Sequence, residues 1–541
     1  MDNIKSQLQS LHPEISKILA ISGSPALSLG VLHQGRIVHT AHFGRRNEDD
    51  LVVPTDKTIY WIGSLTKIIT ATAVARLVHE AKLDWDVPIR EYLPVFRVRQ
   101  DEIGLKATLR DLLSCRTGIT PANSLWNLQY GETLIPKSET SFTATYLDAV
   151  KPFREGWVYS QWNYTLVSDV VEAAGTPLCE YIEETLFHRL GMSQSSFAPP
   201  HESNPDVANA HGIRNDGTPS RIPNSNLTDA GAGPAAGAKS SIRDLLTFLS
   251  ALLSAHKHQK EKAVDATPGS PFAHIRPIFE PQIGFGPPGR SRINDAGYCM
   301  GLYRTRLPGY LSVASPNFTA LGRKRLVQYG MQLRGMEVYH HAASIPGHFG
   351  AMYLVPSMES AVVVLTNSQP LVDPADFAAQ LVLSVLLDEK PSVDFVKMAD
   401  LGRSIAFEGY KQLAKAVEEG KTDKPPSKPL VAYEGDYFNA IHNFVLSVAA
   451  TGDGLSMVVQ RKKTGFVLLP YDGDTFYWPV DREDEVCNKA MWPFTYPDWH
   501  RVYFESNANG AVERLIWRHD PYLLNPEVFT KTPKSAMDAK L

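Results

Sequence analysis

The residues whose types and spacing could do chemistry begin with Ser64 and Lys67, at the head of the apolar stretch WIGSLTKIITATAVARLV. On an α-helix, side chains three positions apart lie on the same face, a few ångströms from each other. A serine hydroxyl is a weak nucleophile at neutral pH, and a neutral lysine within hydrogen-bond reach can act as its base. The pair therefore predicts a serine nucleophile with a lysine base. A helix-capping serine beside a solvated lysine is the alternative interpretation.

The same Ser-x-x-Lys spacing occurs again at Ser254 and Lys257, within SALLSAHKHQK. We interpret that second instance as the polar end of an ordinary helix. The spacing alone does not tell which of the two pairs is catalytic. The residues around Ser64 have to decide this.

Two further groups of polar residues follow Ser64 in sequence order. Tyr159 opens the group Tyr-Ser-Gln before the helical pattern WNYTLVSDVVEAAG, and His341 opens HAASIPG before two late strand patterns. A tyrosine beside the nucleophile could relay a proton to a leaving group, although many tyrosines at such positions only pack. The neighbour His340 leaves the register of His341 open by one residue, and a structural histidine at the start of a strand is its alternative.

The elements that would position these groups predict an α+β domain. The stretch ALSLGVLHQGRIVHTAHFG alternates around Gln34 and Gly35 and predicts a β-hairpin at the edge of the main sheet. Helical patterns follow, two of which are closed by Gly118 and Gly175, and GAKSSIRDLLTFLSALL begins with serines suited to capping a helix. Near residue 360, GAMYLVP and SAVVVLTNS predict a pair of strands, so both ends of the segment complete one sheet.

Composition shifts divide the chain into three parts. Residues 1–395 form a first domain, in which the Pro- and Gly-rich stretch at about 255–296 is predicted to be an inserted loop. Residues 396–430 are a helix and a charged, proline-rich linker. In residues 431–541, short segments of alternating apolar and polar residues are separated by Gly, Asn and Asp turns. This pattern predicts a small antiparallel barrel or sandwich followed by a tail.

Bulk properties exclude several functional classes. The 541 residues include 54 basic and 58 acidic side chains and give a net charge of -4, which does not favour a nucleic-acid partner. Neither a secretion signal nor a membrane span is predicted, so we expect an intracellular protein. The 4 scattered cysteines favour neither a disulfide framework nor a zinc site, and His256 and His258 lack the further ligands of a metal site.

The chain ends in Ala539, Lys540 and Leu541, a small residue, a base and a leucine. This tripeptide is similar to the Ser-Lys-Leu signal that the peroxisomal import receptor reads. Peroxisomal localisation through that receptor is therefore our hypothesis.

Together, the Ser64–Lys67, Tyr159–Gln161 and His341–Gly347 groups resemble, in their order, the motifs of the class C β-lactamase, penicillin-binding-protein and esterase superfamily of serine hydrolases. The segments TLRDLLSCRTGI and AAGAKSSIRDLLTFLSALL are also similar to segments of that family. The resemblance covers roughly residues 10 to 390, and the C-terminal barrel resembles the lipocalin-like domains of some members. It implies a mixed antiparallel sheet flanked by helices, an all-helical lobe, and a cleft between them.

By this resemblance the nucleophile, lysine and tyrosine are Ser64, Lys67 and Tyr159. The oxyanion is expected to bind backbone N–H groups of Ser64 and Ser344. His341 replaces the lysine of the family's "KTG" strand and would bind the catalytic tyrosine or a substrate carbonyl.

Two residues depart from the family pattern. Gln161 replaces an asparagine and is expected to place its amide differently against Lys67 and the substrate carbonyl, because its side chain is one methylene longer. Ala343 replaces a strand glycine, and its methyl group is expected to crowd the backbone near the ligand. Both changes count against an efficient β-lactamase.

The function implied is a serine hydrolase that acts on a small-molecule ester or amide through an acyl-enzyme at Ser64, in fungal-type secondary metabolism and without a cofactor. Two alternatives stay open. One is an acyltransferase that passes the acyl group to an alcohol or amine, and the other is a non-catalytic binding protein with a β-lactamase-like cleft. Four tryptophans near the motifs are candidates for lining an apolar acyl pocket: Trp61, Trp126, Trp157 and Trp162.

Overall fold

The computed structural model describes residues 2–47, 52–126, 129–201, 203–286, 295–462 and 465–531, with the backbone alone at residues 229 and 230. The tail with Ala539, Lys540 and Leu541 lies outside the described residues, so the peroxisomal signal stays a prediction. The α-helices are α1 Asp2–Ser10, α2 His12–Ser22, α3 Thr66–His79, α4 Glu102–Lys106, α5 Leu109–Leu113, α6 Asn123–Trp126, α7 Thr140–Tyr146, α8 Gln161–Ala173, α9 Leu178–Ile182, α10 Ile242–Lys262, α11 Pro316–Leu321, α12 Pro374–Leu386 and α13 Phe395–Glu418.

The strands of the first part of the chain are β1 Ala26–His33, β2 Arg36–Gly44, β3 Tyr60–Trp61, β4 His211–Ile213, β5 Pro219–Arg221, β6 Lys239–Ser240, β7 Ile283–Gly284, β8 Ala296–Tyr298, β9 Tyr303–Arg306, β10 Gly309–Tyr310, β11 Gln328–Tyr329, β12 Glu337–Ile345, β13 His348–Val355, β14 Ser360–Thr366 and β15 Ser368–Gln369. Those of the C-terminal part are β16 Gly435–Phe438, β17 Val445–Thr451, β18 Gly454–Val459, β19 Gly465–Asp472, β20 Thr475–Tyr477, β21 Arg501–Ser506, β22 Val512–Trp517 and β23 Glu527–Lys531.

The main sheet is antiparallel, has eight strands and runs in the order β2-β1-β14-β13-β12-β9-β8-β7. The predicted hairpin is therefore present at one edge, and its turn residues Gln34 and Gly35 have φ values of 50° and 73°, as a tight hairpin turn requires. The predicted late strands β13 and β14 pair with each other, and β14 also pairs with β1. The two ends of the domain thus meet in one sheet, which confirms the predicted α+β class.

Both faces of this sheet are covered, which explains why β14 is an unbroken apolar run. Val362 and Val364 face a core formed with α2 and α12, whereas Val363 and Leu365 face a larger core that includes α3 and α10. A strand buried on both faces shows no polar alternation. The larger core extends from this face of the sheet into the helical lobe and the barrel, so the fold is an antiparallel sheet flanked by helices with an all-helical lobe on one side.

The structure differs from the predicted insertion at 255–296. Helix α10 continues to Lys262, with Ala255 and Gln259 on its buried side and His256 packed against Phe279. Strands β7 and β8 join the far edge of the main sheet instead of forming a loop. Residues 287–294 of the predicted loop lie outside the described residues.

The C-terminal part contains a closed barrel of strands β16 to β23, in which β16 also pairs with β23. Burial alternates along strands such as β22, and aromatic side chains fill the interior. Helix α13, within the predicted helix-and-linker segment, precedes the barrel. The barrel contacts the helical lobe, where Asn443 Nδ2 donates to Thr143 Oγ1 at 2.6 Å and Gln460 Nε2 donates to the Leu134 carbonyl at 3.1 Å.

Every helix in the described parts of the chain is too short or too polar to cross a lipid bilayer.

Candidate active site

The candidate nucleophile Ser64 lies in a single 3-10 turn, Gly63–Leu65, that runs directly into helix α3. Sequence analysis placed Ser64 in the helix itself, whereas the structure places it just before the first helical residue. Lys67 follows in the first turn of α3, and its Nζ lies 3.0 Å from Ser64 Oγ. The side chain of Ser64 is nearly buried and that of Lys67 fully buried. The short sequence spacing therefore becomes a direct hydrogen bond inside the protein.

Burial lowers the pKa of Lys67 to about 7. Its Nζ also donates to Gln161 Oε1 and to the Ala235 carbonyl, both at 2.8 Å. These two acceptors bind the two N–H groups of a neutral amine, so the remaining lone pair faces the Ser64 hydroxyl. A buried lysine that is half neutral near pH 7 has the properties of a general base.

The amide of Gln161 thus reaches Lys67 although its side chain is longer than the asparagine of the family pattern. Gln161 begins helix α8, which starts directly after Tyr159 and Ser160. The longer side chain therefore still brings its carbonyl oxygen to within hydrogen-bond distance of the amine.

Tyr159 donates its hydroxyl proton to Ser64 Oγ at 2.7 Å. Burial raises the pKa of Tyr159 far above its ordinary value, which keeps the phenol protonated. Ser64 Oγ therefore accepts a hydrogen bond from the tyrosine and can donate its own proton to Lys67. The three predicted catalytic side chains form one continuous hydrogen-bonded chain.

His341, on strand β12, lies beside this chain but contacts a different tyrosine from the one expected. Its Nδ1–H donates to the Ala342 carbonyl at 2.8 Å, so Nε2 is free to accept from the Tyr298 hydroxyl at 3.2 Å. The rings of His341 and Tyr159 lie 5.8 Å apart. Burial lowers the pKa of His341 to about 3, and the histidine is therefore neutral.

The neighbouring His340 is bound elsewhere. Its Nε2 contacts Thr305 Oγ1 at 3.0 Å, and its ring stacks on Tyr353 at 5.6 Å. Since successive strand residues point to opposite faces, the two histidines serve different environments, and His341 is the one on the side of Tyr159.

Strand β12 runs past the turn that carries Ser64. Its pairing with β9 ends at His340, whereas its pairing with β13 continues to Ile345. An ideal Cβ built on Gly63 would lie 3.2 Å from Ala343 Cβ, so the Ala343 methyl group packs directly against Gly63. Ser344, the next residue on β12, is partly exposed. The methyl group that was expected to crowd the ligand is thus accommodated by a glycine at φ 48°.

Of the four tryptophans near the motifs, Trp157 lies against Tyr159, with ring centroids 6.0 Å apart. The rings of Trp126 and Trp162 contact each other at a tilt, with centroids 4.3 Å apart, and the indole of Trp61 donates to the Ser225 carbonyl at 2.8 Å. One of the four candidates therefore contacts the site.

Sequence analysis did not find Tyr298 or the Ala235 carbonyl. Tyr298 ends strand β8, directly after the stretch interpreted as an insertion, and the pattern AGYCMGLYRTR contained a strand signal that could have revealed it. The Ala235 carbonyl belongs to the irregular π-helical segment Thr228–Gly237. A backbone group in such a segment leaves no signal in the residue types.

The barrel reaches the helical lobe close to the site. Asp520 accepts the backbone N–H of Asn123 at 3.1 Å, and Ser124 hydrogen-bonds His519. Burial raises the pKa of Tyr303, an aromatic neighbour of Tyr159, and Tyr522 of the same barrel loop adds a smaller contribution. The loop between β22 and β23 therefore lies against helix α6 of the helical lobe.

Among the residues that the structure describes, no three His, Cys, Asp or Glu side chains are grouped so that they could hold a metal ion. The chain is similar to curated proteins from a fungus and from bacteria. A fungal protein called unguisins hydrolase ungD', from Aspergillus campestris (strain IBT 28561), is 24% identical over 77% of this chain and 73% of its own length. This chain spans less than half the length of two other curated relatives. It covers 42% of one from Bacillus subtilis (strain 168) and 44% of one from Escherichia coli (strain K12).

Two solved structures share the fold. An octameric penicillin-binding protein homologue from Pyrococcus abyssi matches with a TM-score of 0.56 and 20% identity over 98% of this chain and 100% of its own. A class C β-lactamase from Rhodobacter sphaeroides matches with a TM-score of 0.51 and 21% identity over 72% of this chain and 99% of its own.

Family models cover both parts of the chain. A model described as a domain of unknown function (DUF3471) matches residues 419–532, which include the barrel. The model described as Beta-lactamase matches residues 14–387, which include the whole Ser64 site and the main sheet. The chain therefore belongs to the β-lactamase family of serine hydrolases, the family that the order of its motifs resembles.

Proposed function

We propose that the protein cleaves an ester or amide of a small molecule through an acyl-enzyme formed at Ser64. The observation that carries this proposal is the position of Ser64 Oγ, which lies 3.0 Å from a lysine amine of lowered pKa and 2.7 Å from a protonated tyrosine. A hydroxyl between a base and an acid is arranged for nucleophilic attack followed by protonation of a leaving group.

In the acylation step, Ser64 Oγ attacks the carbonyl carbon while its proton moves to Lys67 Nζ. The bond to the leaving group then breaks, the leaving group takes the proton of Tyr159, and Lys67 returns its proton to the tyrosine. Backbone N–H groups of Ser64 and Ser344 are the proposed donors to the oxyanion, because β12 runs beside the turn that carries Ser64. His341 and Gln161 would hold the strand and the lysine in place.

Water is the proposed acceptor of the acyl group, in a reaction of fungal-type secondary metabolism. The name of the fungal relative, unguisins hydrolase, supports both points. Transfer to an alcohol or amine is the alternative outcome of the same acyl-enzyme, since the acceptor depends on what binds next to it. The binding-protein alternative lacks a reason to bury a lysine beside a serine, because an uncompensated buried amine is costly.

The test is incubation with p-nitrophenyl butyrate followed by intact-protein mass spectrometry. We expect a burst of p-nitrophenol and a butyryl adduct on the wild type, and neither on Ser64→Ala. The matched control is Ser254→Ala, which removes the serine of the other Ser-x-x-Lys pair. Ser254 is exposed, and its Lys257 pairs with Glu359 at 2.6 Å.

An adduct on Ser64→Ala, or the loss of the adduct in Ser254→Ala, contradicts the assignment of the nucleophile. Absence of any adduct on the wild type would favour the binding protein. Adding an alcohol to the wild-type reaction separates hydrolysis from transfer, because only a transferase forms more butyrate ester than free acid.

A further inference from the structure

A cavity of about 920 Å³ opens beside the aromatic residues of the active site. Trp157 and Phe285 line one side of it, and Val313 and Phe318 line another. Three arginines also line the cavity: Arg306 at the end of β9, Arg323 in the turn after α11, and Arg334 in the segment before β12. The cavity therefore combines apolar walls with cationic groups.

These three arginines differ from other arginines nearby in having no carboxylate partner. Arg304, on the same strand as Arg306, pairs with Glu337 at 2.6 Å, and Arg276 pairs with Asp265 at 2.8 Å. Within the described parts of the chain, no ion pair is formed by Arg306, Arg323 or Arg334.

Among the lining residues that the structure describes, one is acidic: Asp295, whose backbone carbonyl accepts the N–H of Arg306. Its single carboxylate leaves an excess of positive charge in the lining. Guanidinium groups bind carboxylates through paired hydrogen bonds, so an anionic oxygen group is the matching ligand.

Trp157 connects the cavity to the reacting atoms. It lines the cavity, its ring lies 6.0 Å from that of Tyr159, and the Tyr159 hydroxyl contacts Ser64 Oγ at 2.7 Å. Tyr298 and Tyr303 pack against the same indole, each with ring centroids 5.6 Å away. The cavity wall therefore lies one ring contact and one hydrogen bond away from Ser64 Oγ.

We propose that the cavity binds a carboxylate carried by the substrate, so that the enzyme prefers acidic esters or amides with an apolar spacer between the reacting carbonyl and the acid. This inference rests on the proposed function and adds the substrate class. The apolar walls would pack against the spacer, and the arginines would bind its end.

The test compares matched pairs of esters that differ only in the terminal group. In the acyl series, the pair is p-nitrophenyl octanoate and the mono-p-nitrophenyl ester of suberate. In the leaving-group series, the pair is the butyrate esters of p-propylphenol and of p-hydroxyphenylpropionate. We expect kcat/KM of the acidic member to exceed that of the neutral member by about tenfold in one series, as one charged hydrogen-bonded contact provides. The series that shows the preference tells which part of the substrate carries the acid.

The double variant Arg323→Gln/Arg334→Gln should bring this ratio to about one, and added salt should lower it in the wild type, because the guanidinium groups are exposed. The control Arg36→Gln makes the same kind of charge change on β2, at the opposite edge of the main sheet, and should keep the wild-type ratio. Equal rates for both members in both series, or a ratio that survives the double variant, would overturn the proposal.

A second measurement separates this proposal from the proposed function. Suberate binding to the Ser64→Ala protein, measured by calorimetry, does not require catalysis. Binding that is lost in the Ser64→Ala protein with both arginine substitutions supports the cavity even if no acyl adduct forms on the wild type. Absence of suberate binding together with equal ester rates refutes the cavity while leaving the nucleophile assignment intact.

Discussion

The rate of acylation should follow the titration of Lys67. Burial lowers the pKa of this amine from 10.5 to about 7, so roughly half of the molecules hold it neutral at pH 7. At an ordinary lysine pKa only about one in 3000 would be neutral at that pH. The buried site therefore disfavours the charged amine by about 5 kcal/mol, and this free energy supplies a base at physiological pH.

Acylation should become faster as the pH rises, because the neutral form of Lys67 is the reactive one. We expect kcat/KM for p-nitrophenyl butyrate to fall about tenfold per pH unit below pH 6, to reach half of its maximum near pH 7, and to level off above about pH 8. The assay is initial burst rate against pH at constant ionic strength, corrected for spontaneous hydrolysis of the ester. Lys67→Arg should form no adduct at any of these pH values, because a guanidinium stays protonated.

The groups that face Lys67 do not titrate in the pH range of this inflection. Burial raises the pKa values of Tyr159 and Tyr164 far above the assay range and that of Cys115 to about 11, and it lowers that of His341 to about 3. A profile that is flat between pH 5.5 and 9, or that rises only above pH 9, would refute the assignment of Lys67 as the base.

Two buried carboxyl groups outside the site could also titrate in the assay range, so their effect on folding has to be measured separately. Burial raises the pKa of Asp373 to about 7 and that of Glu485 to about 8. Their ionisation could alter folding in the same pH range, so thermal unfolding should be followed by circular dichroism at each pH. The kinetic inflection counts for Lys67 only where the folded fraction stays constant.

The other predictions concern the residues around the nucleophile. Tyr298→Phe removes the hydroxyl that donates a hydrogen bond to His341 Nε2. We expect kcat/KM to fall three- to tenfold while the pH inflection keeps its position. The free energy of unfolding should fall by about 1 kcal/mol. A shifted inflection would instead place Tyr298 in the proton chain. Gly63→Ala adds a Cβ at positive φ, 3.2 Å from the Ala343 methyl group, and should destabilise by about 2 kcal/mol in denaturant unfolding. Gly175→Ala, also at positive φ but with nothing within 4 Å, isolates the backbone strain. Adding Ala343→Gly to Gly63→Ala should restore part of the lost stability. If the second substitution restores none of it, the packing described for this strand is contradicted.

The fold was predictable where the signals are local. Gln34 and Gly35 form a tight turn because glycine adopts positive φ without steric cost. Ser241 caps α10, as its position before an apolar run predicted, with its side chain accepting from the Asp244 N–H at 3.2 Å. The end of α10 was not predictable in the same way. Its last turns are mostly polar, and Ala255, His256 and Gln259 pack them against other segments.

By itself, the sequence determined that Ser64 and Lys67 lie close together, since residues three apart at a helix start are neighbours in any fold that keeps the helix. It also determined the order of the motifs and therefore the family. Tertiary structure alone decided the pKa of Lys67, because burial and the carbonyl of Ala235 come from distant segments. It also decided that Tyr298 binds His341, and that Gly63 accommodates the methyl group of Ala343. These contacts join residues far apart in the chain, and their chemistry depends on distances that residue types and spacing do not encode.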